Sequence, residues 1–291
     1  MDARLVLVRN ILLLLLLAPF AAAAQNNAVE KPNAELVKRA LATELRNARN
    51  AQHPMRYRLR KATPRLSSTK EMFETKDGAV ARLVEINDAP LSKLDEQKEQ
   101  ARLDALLRDP DSQMRRKQNQ ENDARRVIKV LRALPKAFIY QYAGEGVGPT
   151  GTVEKFSFKP NPGFDSQDLE TQALTEMTGE IWIDPVQERV ARLEGHLEDD
   201  VDFGWGILGR LYKGGWIVIE QAEVSPNQWR IVRIQLRMNG RLLFSNKTFD
   251  TLQEQTHFTP VPVGLGYVQA IHLLRSASSA NEQNTAQQTR R

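Results

Sequence analysis

Apolar and polar residues recur with two different periods in the first third of the chain. From 32 to 51 the apolar positions lie three and four residues apart, which predicts an amphipathic helix that ends before His53-Pro54. From 55 to 60 they alternate with Arg56, Arg58 and Arg60, which predicts a strand. Two further strands, at about 70–76 and 79–86, flank a dipeptide favoured in tight hairpins, Asp77-Gly78.

A long, highly charged segment without glycine, 91–134, then interrupts the strands. Near its start, leucines recur on one face of a predicted helix, and near its end valine, isoleucine and leucine recur on one face of another. Asp109-Pro110 predicts a break between the two helices. One hypothesis is a basic arm that touches a membrane surface or another envelope protein. The other hypothesis is a solvated helical insertion whose two ends dock on the body, and acidic residues within the basic run favour it.

After Pro135 the pattern returns to strands, at 137–143, 153–160, 179–183, 189–197, 216–224, 228–238 and 241–252. Asn239-Gly240 predicts a hairpin between the last two, and a slip in the alternation at Val232 predicts a bulge. The strand at 228–238 has one apolar face and one cationic face, which indicates a sheet that is covered on one side and wet on the other. The elements together predict an α+β fold.

Both ends of the chain lie outside this pattern. Residues 1–24 combine a basic start, an unbroken apolar run and small residues around Ala23 and Ala24, as in a secretory signal peptide, although a membrane anchor is the alternative. Residues 276–291 are polar and predict a disordered tail. We therefore expect an exported, periplasmic protein with a single domain at 25–275, and not a lipid-anchored one, because the chain has no cysteine to acylate.

Composition and motifs give no indication of catalysis. The net charge of +5 is spread among interleaved acids, and no nucleic-acid-binding motif occurs, so we expect no nucleic-acid partner. We find no nucleophile–base motif and no P-loop, and we expect neither an enzyme nor a cofactor. Asp199, Asp200 and Asp202 could ligate calcium, but they lack the spacing of an EF-hand loop, so we expect a solvated turn and no metal site.

The segment VDFGWGILGRL, 201–211, contains the glycine spacing of a dinucleotide-binding loop at Gly204, Gly206 and Gly209. That motif requires a strand before it and a helix after it. Here acidic residues precede the glycines, and a new strand begins at Trp216 without room for the helix. We therefore interpret the segment as an apolar loop that either plugs the core or covers a cavity for an apolar ligand.

The segment GEIWIDPVQERVARLEGHLEDDVDFGWGILGRLYKGGWIVIEQ resembles exported bacterial proteins related to the outer-membrane lipoprotein-sorting carriers of the LolA/LolB type. A strand from Gly179 to Asp184 followed by a second at 189–196 carries the resemblance, and KDGAVARLVEINDAPLS upstream adds to it. The resemblance implies an antiparallel β half-barrel wrapped around helices, whose concave face shelters acyl chains in the carriers and which also serves in periplasmic sensing proteins. The long charged helical insertion departs from the carriers, and none of their site residues is transferred to this chain.

These observations lead to two functional hypotheses. The first is a non-catalytic periplasmic binder or carrier of an acyl chain, lipid or lipoprotein in a half-barrel cavity. The second is an envelope protein-interaction or sensing module that uses the arm at 91–134. For the first hypothesis we predict an apolar cavity or lid formed by Trp182, Trp216, Trp229, Phe203, Trp205, Ile207, Leu208 and Leu211.

Overall fold

The computed structural model describes residues 34–49, 53–166, 168–203, 209–242 and 245–276. The predicted signal peptide lies outside the described residues, as does the predicted tail beyond Ser276. Five helices are described, apart from a 3₁₀ turn at Ala173–Glu176: α1 Ala34–Arg49, α2 Lys93–Arg108, α3 Pro110–Ala137, α4 Leu169–Gln172 and α5 at 267–276.

Thirteen strands account for most of the remaining described residues. Their bounds are β1 Met55–Ala62, β2 Ser67–Phe73, β3 Val80–Ile86, β4 Ala89–Pro90, β5 Phe138–Gly148, β6 Gly151–Pro160, β7 Met177–Asp184, β8 Arg189–Leu197, β9 Val201–Phe203, β10 Gly209–Leu211, β11 Trp216–Ser225, β12 Gln228–Leu242 and β13 Ser245–Pro260.

All strands belong to one antiparallel sheet with the order β4-β3-β2-β1-β13-β12-β11-β8-β7-β6-β5. β10 pairs with β12, and β9 pairs with β10, beside this path. The sheet does not close on itself, because β4 and β5 remain at opposite ends. The α+β class and the half-barrel-like antiparallel sheet that the sequence predicts are therefore confirmed.

Two apolar clusters attach helices to different parts of the sheet. In the first cluster, α1 and the end of α3 pack on β5–β8 through buried residues such as Val37, Leu41, Phe156 and Ile181. In the second cluster, α2 and α5 pack on β2 and β3 through residues such as Leu103 and Ile271. We call the sheet face of Ile181 and its cross-strand partners the inner face, and the opposite face the outer face.

The charged insertion forms α2 and α3, and the break at Asp109-Pro110 is confirmed. The Asp109 side chain accepts a hydrogen bond from the Ser112 N–H at 3.0 Å and caps α3, with Pro110 in its first turn. Residues 121–127 of α3 are exposed, while both of its ends contact the rest of the protein. This arrangement agrees with the hypothesis of an insertion that docks at its ends.

α2 and α3 also cover the free edge of β3. Three backbone positions at alternate residues of this edge are bonded to helix side chains at 2.8, 2.6 and 2.8 Å: Ala79 to Gln120, Ala81 to Arg102 and Leu83 to Glu99. The Ala79 and Leu83 N–H groups donate, and the Ala81 carbonyl accepts. Since outward-facing backbone groups recur every second residue along a strand, these side chains take the place of a neighbouring strand.

The prediction that the chain turns at Asn239-Gly240 is wrong. β12 continues through both residues to Leu242, which pairs with Ser245. Gly240 serves another purpose: a Cβ built on it would lie 2.6 Å from the Arg210 carbonyl oxygen of β10. The glycine therefore lets a third strand approach β12 instead of turning the chain.

Two other local predictions are confirmed. Gly78 has a φ of +91° in the turn between β2 and β3, where its N–H donates to the Thr75 carbonyl at 3.1 Å. The register of β12 slips between Ile231 and Arg233, which makes Val232 the extra residue of a bulge.

Candidate functional site

The two ends of the glycine-rich segment form the antiparallel strands β9 and β10 of a hairpin, and Gly204 and Gly206 between them lie outside the described residues. Gly209 begins a strand, not a helix, which is incompatible with a dinucleotide-binding loop. The Arg210 guanidinium donates to both carboxylate oxygens of Asp202, at 2.5 and 2.7 Å, and lies 3.4 Å from Asp200. This arrangement raises the pKa of Arg210, chiefly through the hydrogen bonds that its guanidinium donates to Asp202, and it holds the acidic residues at the base of the hairpin.

A row of apolar side chains crosses the inner face from β6 to β12. Successive cross-strand partners along this row, which we call the apolar ladder, are Phe156, Ile181, Leu193, Ile219 and Ile234. The next partner, on β13, is the polar Gln253. Cross-strand partners share one face of a sheet, so this side of the sheet is apolar as far as β12.

Burial falls along the apolar ladder. Phe156 and Ile181 are fully buried beneath α1 and α3, whereas Leu193, Ile219 and Ile234 are half-buried. A second pair on β11 and β12, Ile217 and Leu236, lies beside the ladder and is also half-buried. We call the half-buried residues the apolar strip: Leu193, Ile217, Ile219, Ile234 and Leu236.

A buried ion pair fixes α1 over β8 and limits how far it reaches across the sheet. The Arg189 guanidinium donates to both carboxylate oxygens of Glu44 at 2.8 and 3.1 Å, and the Val190 N–H also donates to Glu44 at 3.1 Å. α1 contacts β5, β7 and β8. The apolar strip therefore lies where this helix cover ends.

Two of the predicted site residues lie beside the apolar strip. Phe203, which pairs with Gly209, and Leu211, which pairs with Val201, lie at opposite ends of the β9–β10 pairing, and both pack against the first cluster, as do Ile217 and Leu236. Trp205, Ile207 and Leu208 lie outside the described residues.

Trp182 and Trp216 project from the outer face. Ile181 and Ile183 on either side of Trp182 are core residues, and alternation along the strand directs the indole the other way. The indole lies between two cations, with Lys155 Nζ at 4.5 Å and Arg192 Cζ at 5.3 Å from the ring centroid. Trp216 is the cross-strand partner of His196 and Arg237 on the same face.

The outer face is ionic along the row that contains Trp182. Its cross-strand partners continue from β8 to β1 through alternating charges, and we call them the ionic ladder: Arg192, Glu220, Arg233, Glu254 and Arg60. Arg192 pairs with Glu220, Arg233 lies 4.0 Å from Glu220, and Arg60 lies 3.1 Å from Glu254. This face offers no continuous apolar surface to a hydrocarbon ligand.

Trp229 occupies a third environment. It is buried in a small cluster with Val153 and Ala191, against which Trp182 packs. Its Nε1–H donates to Gln187 Oε1 at 2.7 Å, and the Arg189 guanidinium lies 5.5 Å from its ring. The indole thus supports the ion pair that positions α1.

The eight predicted residues therefore do not line one surface. Phe203 and Leu211 lie at the apolar strip, Trp182 and Trp216 on the outer face, and Trp229 within a core cluster. The period-two alternation in IWID, 181–184, indicates in the sequence that Trp182 lies on the face opposite to Ile181 and Ile183. The isoleucines of the apolar strip were missed because only the strand pairing shows that they are neighbours.

Two open hollows lie away from the apolar strip. One, of about 670 Å³, is formed around the start of α5 by residues such as Val263, Leu265 and Leu273. The other, of about 590 Å³, opens mainly on the outer face beside Gln141, Glu194 and His196. Within the described ranges, no group of three or more His, Asp or Glu side chains is placed to hold a metal ion.

Comparisons with known proteins show a distant likeness of fold. No protein-family model matches the chain, and a search of curated proteins finds no match. The chain is similar to a putative outer membrane lipoprotein-sorting protein domain from Vibrio parahaemolyticus, with 11% identity and a TM-score of 0.32 over 80% of this chain and 95% of that one. It is also similar to MucB in complex with MucA(peri), with 10% identity and a TM-score of 0.22 over 80% of this chain and 100% of that one.

None of the helices in the described part of the chain has both the length and the apolar character needed to cross a bilayer. At these identities and TM-scores, the similarity to a lipoprotein-sorting domain is no more than a distant resemblance of fold.

Proposed function

We propose that this protein is a non-catalytic binder of an apolar ligand, an acyl chain of a lipid or lipoprotein, in the cell envelope. The observation that carries the proposal is the apolar strip, where the helix cover of the inner face ends before its apolar side chains do. Phe203 and Leu211 extend this surface at one side. The signal-peptide pattern at 1–24 supports export to the periplasm, where such a ligand would be met.

The energetics of burial suit a ligand with little polar character. Burying one methylene contributes about 0.8 kcal/mol, so an acyl chain of a dozen carbons gains roughly 10 kcal/mol before ordering costs. The half-buried side chains of the apolar strip gain as well, because the ligand removes their remaining exposed area from water. Binding of this kind requires no polar side chain at its centre, and the five residues of the apolar strip are all aliphatic.

Displacement of a fluorescent fatty acid from delipidated protein tests the proposal. We expect saturable binding, and we expect Ile219→Gln with Ile234→Gln to weaken it at least about tenfold, since two buried aliphatic contacts are lost. Val186→Gln is the matched control, because Val186 is 88% exposed in the turn between β7 and β8. Absence of saturable binding, or equal affinity in the double variant and the wild type, would count against the proposal.

A second candidate function rests on the exposed surface of α3. Arg115, Arg125 and Arg132 lie on exposed positions of this helix, consistent with contact to an anionic membrane surface or to an envelope protein. Deleting 91–134 is a poor test because α2 and α3 cover the β3 edge. Replacing the three arginines by glutamate should instead abolish co-sedimentation with phosphatidylglycerol vesicles, with phosphatidylcholine vesicles as the control, and unchanged co-sedimentation would exclude the membrane contact.

A further inference from the structure

The two edges of the sheet differ in how their backbone groups are satisfied. At the β3 edge, side chains of α2 and α3 bond to alternate backbone positions, as described above. At the other edge, β5 is eleven residues long and pairs only with β6 in the part of the chain that the structure describes. Exposed strand edges without charges or covering elements are templates for pairing with another chain.

The first part of β5 has the composition of a pairing strand. Residues 138–142, FIYQY, carry no charge and have high β propensity. Ile139 is 40% exposed, and Gln141 is exposed beside it on the same face. A bulge at Ala143 and a φ of +115° at Gly144 interrupt the strand after this segment, so a regular pairing surface ends at Tyr142.

We propose that β5 pairs antiparallel with β5 of a second copy of this chain, about a twofold axis at Tyr140. Phe138 then lies opposite the partner's Tyr142, and Ile139 lies opposite the partner's Gln141. The two residues of each pair lie on the same face of the joined sheet, as cross-strand partners must, and no like charges are opposed.

The structure favours a second copy over an open assembly. Antiparallel pairing of identical strands is isologous, so it uses the β5 edge of both copies. Besides the two-residue β4 and the three-residue β9, the edges that remain are the two β3 edges, which α2 and α3 already cover. Pairing therefore stops at a dimer, and the β5 edge, which has no second strand partner among the described residues, is satisfied.

Sedimentation velocity over a range of micromolar concentrations tests the dimer. We expect a concentration-dependent dimer whose Kd rises about tenfold or more in the double variant Ile139→Lys/Gln141→Lys, because each lysine faces a lysine of the partner. The double variant Ile139→Lys/Gln141→Glu should restore dimerisation, since each lysine then faces a glutamate. Rescue of this kind also separates loss of pairing from loss of folding.

Val147→Lys is the matched control, because Val147 lies on the same strand beyond the bulge and is 88% exposed. It should leave the Kd unchanged. A wild type that remains monomeric throughout, a Lys/Lys variant that dimerises as well as the wild type, or a Lys/Glu variant no tighter than Lys/Lys overturns the proposal.

Disulfide trapping tests the register independently. The chain has no cysteine, so one introduced cysteine can bond only to another molecule. Directly opposed strand residues fall within the Cα separation of ~4.4–6.8 Å that disulfides span. A mixture of Ile139→Cys and Gln141→Cys proteins should form the mixed disulfide faster than either protein forms its own. Equally fast bonding of Val147→Cys to itself overturns the proposal.

Discussion

At the scale of single residues, the buried pair between Glu44 and Arg189 decides where α1 lies. Both side chains are at most 10% exposed, and the carboxylate accepts three hydrogen bonds, two from the guanidinium and one from the Val190 N–H. Charges in such surroundings depend on each other, because neither has water as an alternative partner. The pair therefore fixes the helix cover of β8, beyond which the apolar strip begins.

Glu44→Ala is expected to lower the free energy of unfolding by about 3–5 kcal/mol, because it leaves the Arg189 charge buried without a partner. Urea denaturation measures the change. Arg39→Ala is the control: Arg39 joins the same helix to the turn residue Glu188, but both side chains are substantially exposed, so its loss should cost less than about 1 kcal/mol. Equal effects of the two substitutions would show that the buried pair has no special role.

Gly240→Ala is expected to destabilise the approach of β10 to β12. The added methyl would lie 2.6 Å from the Arg210 carbonyl oxygen and 3.2 Å from Leu211 Cδ2, so β10 must move. We expect a loss of about 1–3 kcal/mol in denaturation experiments. At Gly163 the nearest atom to a built Cβ is 3.5 Å away, and Gly163→Ala should be nearly neutral. A neutral Gly240→Ala would mean that β10 is not held closely against β12.

At the scale of elements, the charged insertion has a structural role that its composition does not suggest. Glu99 accepts from the Leu83 N–H at 2.8 Å while its carboxylate also holds Arg102, whose own Nη2 donates to the Ala81 carbonyl. The hydrogen bonds that Arg102 donates to the Glu99 carboxylate raise the pKa of Arg102. In addition to its buried leucines, α2 thus docks through charged side chains that bond to the strand backbone.

Glu99→Ala tests this docking. We expect the free energy of unfolding to fall by about 2–3 kcal/mol, because hydrogen bonds to a charged group are lost and the Leu83 N–H is left unpaired. Native-state hydrogen exchange should show faster exchange of the Leu83 amide in Glu99→Ala than in Glu99→Gln, which keeps an acceptor. Glu121→Ala, at an exposed position of α3, should change neither quantity, and an unaltered Leu83 exchange rate in Glu99→Ala would contradict the assignment.

The sequence predicts elements better than it predicts their neighbours. Periodicity identifies the longer strands and the break at Asp109-Pro110, because both depend on nearby residues, but it does not indicate the short strands β4, β9 and β10 or the helix α5. Asn239-Gly240 is misleading because the reason for the glycine is a distant strand: Leu211 of β10, which pairs with Gly240, lies 29 residues earlier in the chain. The apolar strip also depends on partners far apart in sequence, such as Leu193, Ile219 and Ile234, which only the strand order brings together.

At the scale of the whole molecule, the sheet separates an apolar inner side from an ionic outer side between β8 and β12, whereas at β1 and β2 the buried Phe73 of the second cluster lies on the outer face beside Arg56. The apolar ladder ends at Ile234 of β12, whose next cross-strand partner is the polar Gln253 of β13, and β1 lies beyond β13. There Tyr57 stacks on Phe258, with ring centroids 5.4 Å apart. Another tyrosine, Tyr140, lies on β5 at the other end of the sheet, where its hydroxyl donates a hydrogen bond to the Leu134 carbonyl at 2.9 Å.

These two tyrosines should make the whole sheet sensitive to alkali. Burial, with a further contribution from Glu74, raises the pKa of Tyr57 to about 12, and burial also raises the pKa of Tyr140. In the unfolded chain a tyrosine ionises near pH ~10, so between pH 10 and 12 the folded protein binds more protons than the unfolded one. The stability contributed by Tyr57 is therefore complete below pH 10 and is lost as the pH rises to 12, by about 3 kcal/mol in total.

Tyr57→Phe isolates this contribution from the lysines that also lose charge in alkali. We expect the variant and the wild type to unfold at similar urea concentrations at pH 9, and we expect the variant to become relatively more stable as the pH rises. The double variant Tyr57→Phe/Tyr140→Phe should extend the difference, because both ends of the sheet then lack an ionisable phenol. Parallel stability profiles from pH 9 to 12 would show that neither hydroxyl is shielded from water in the folded protein.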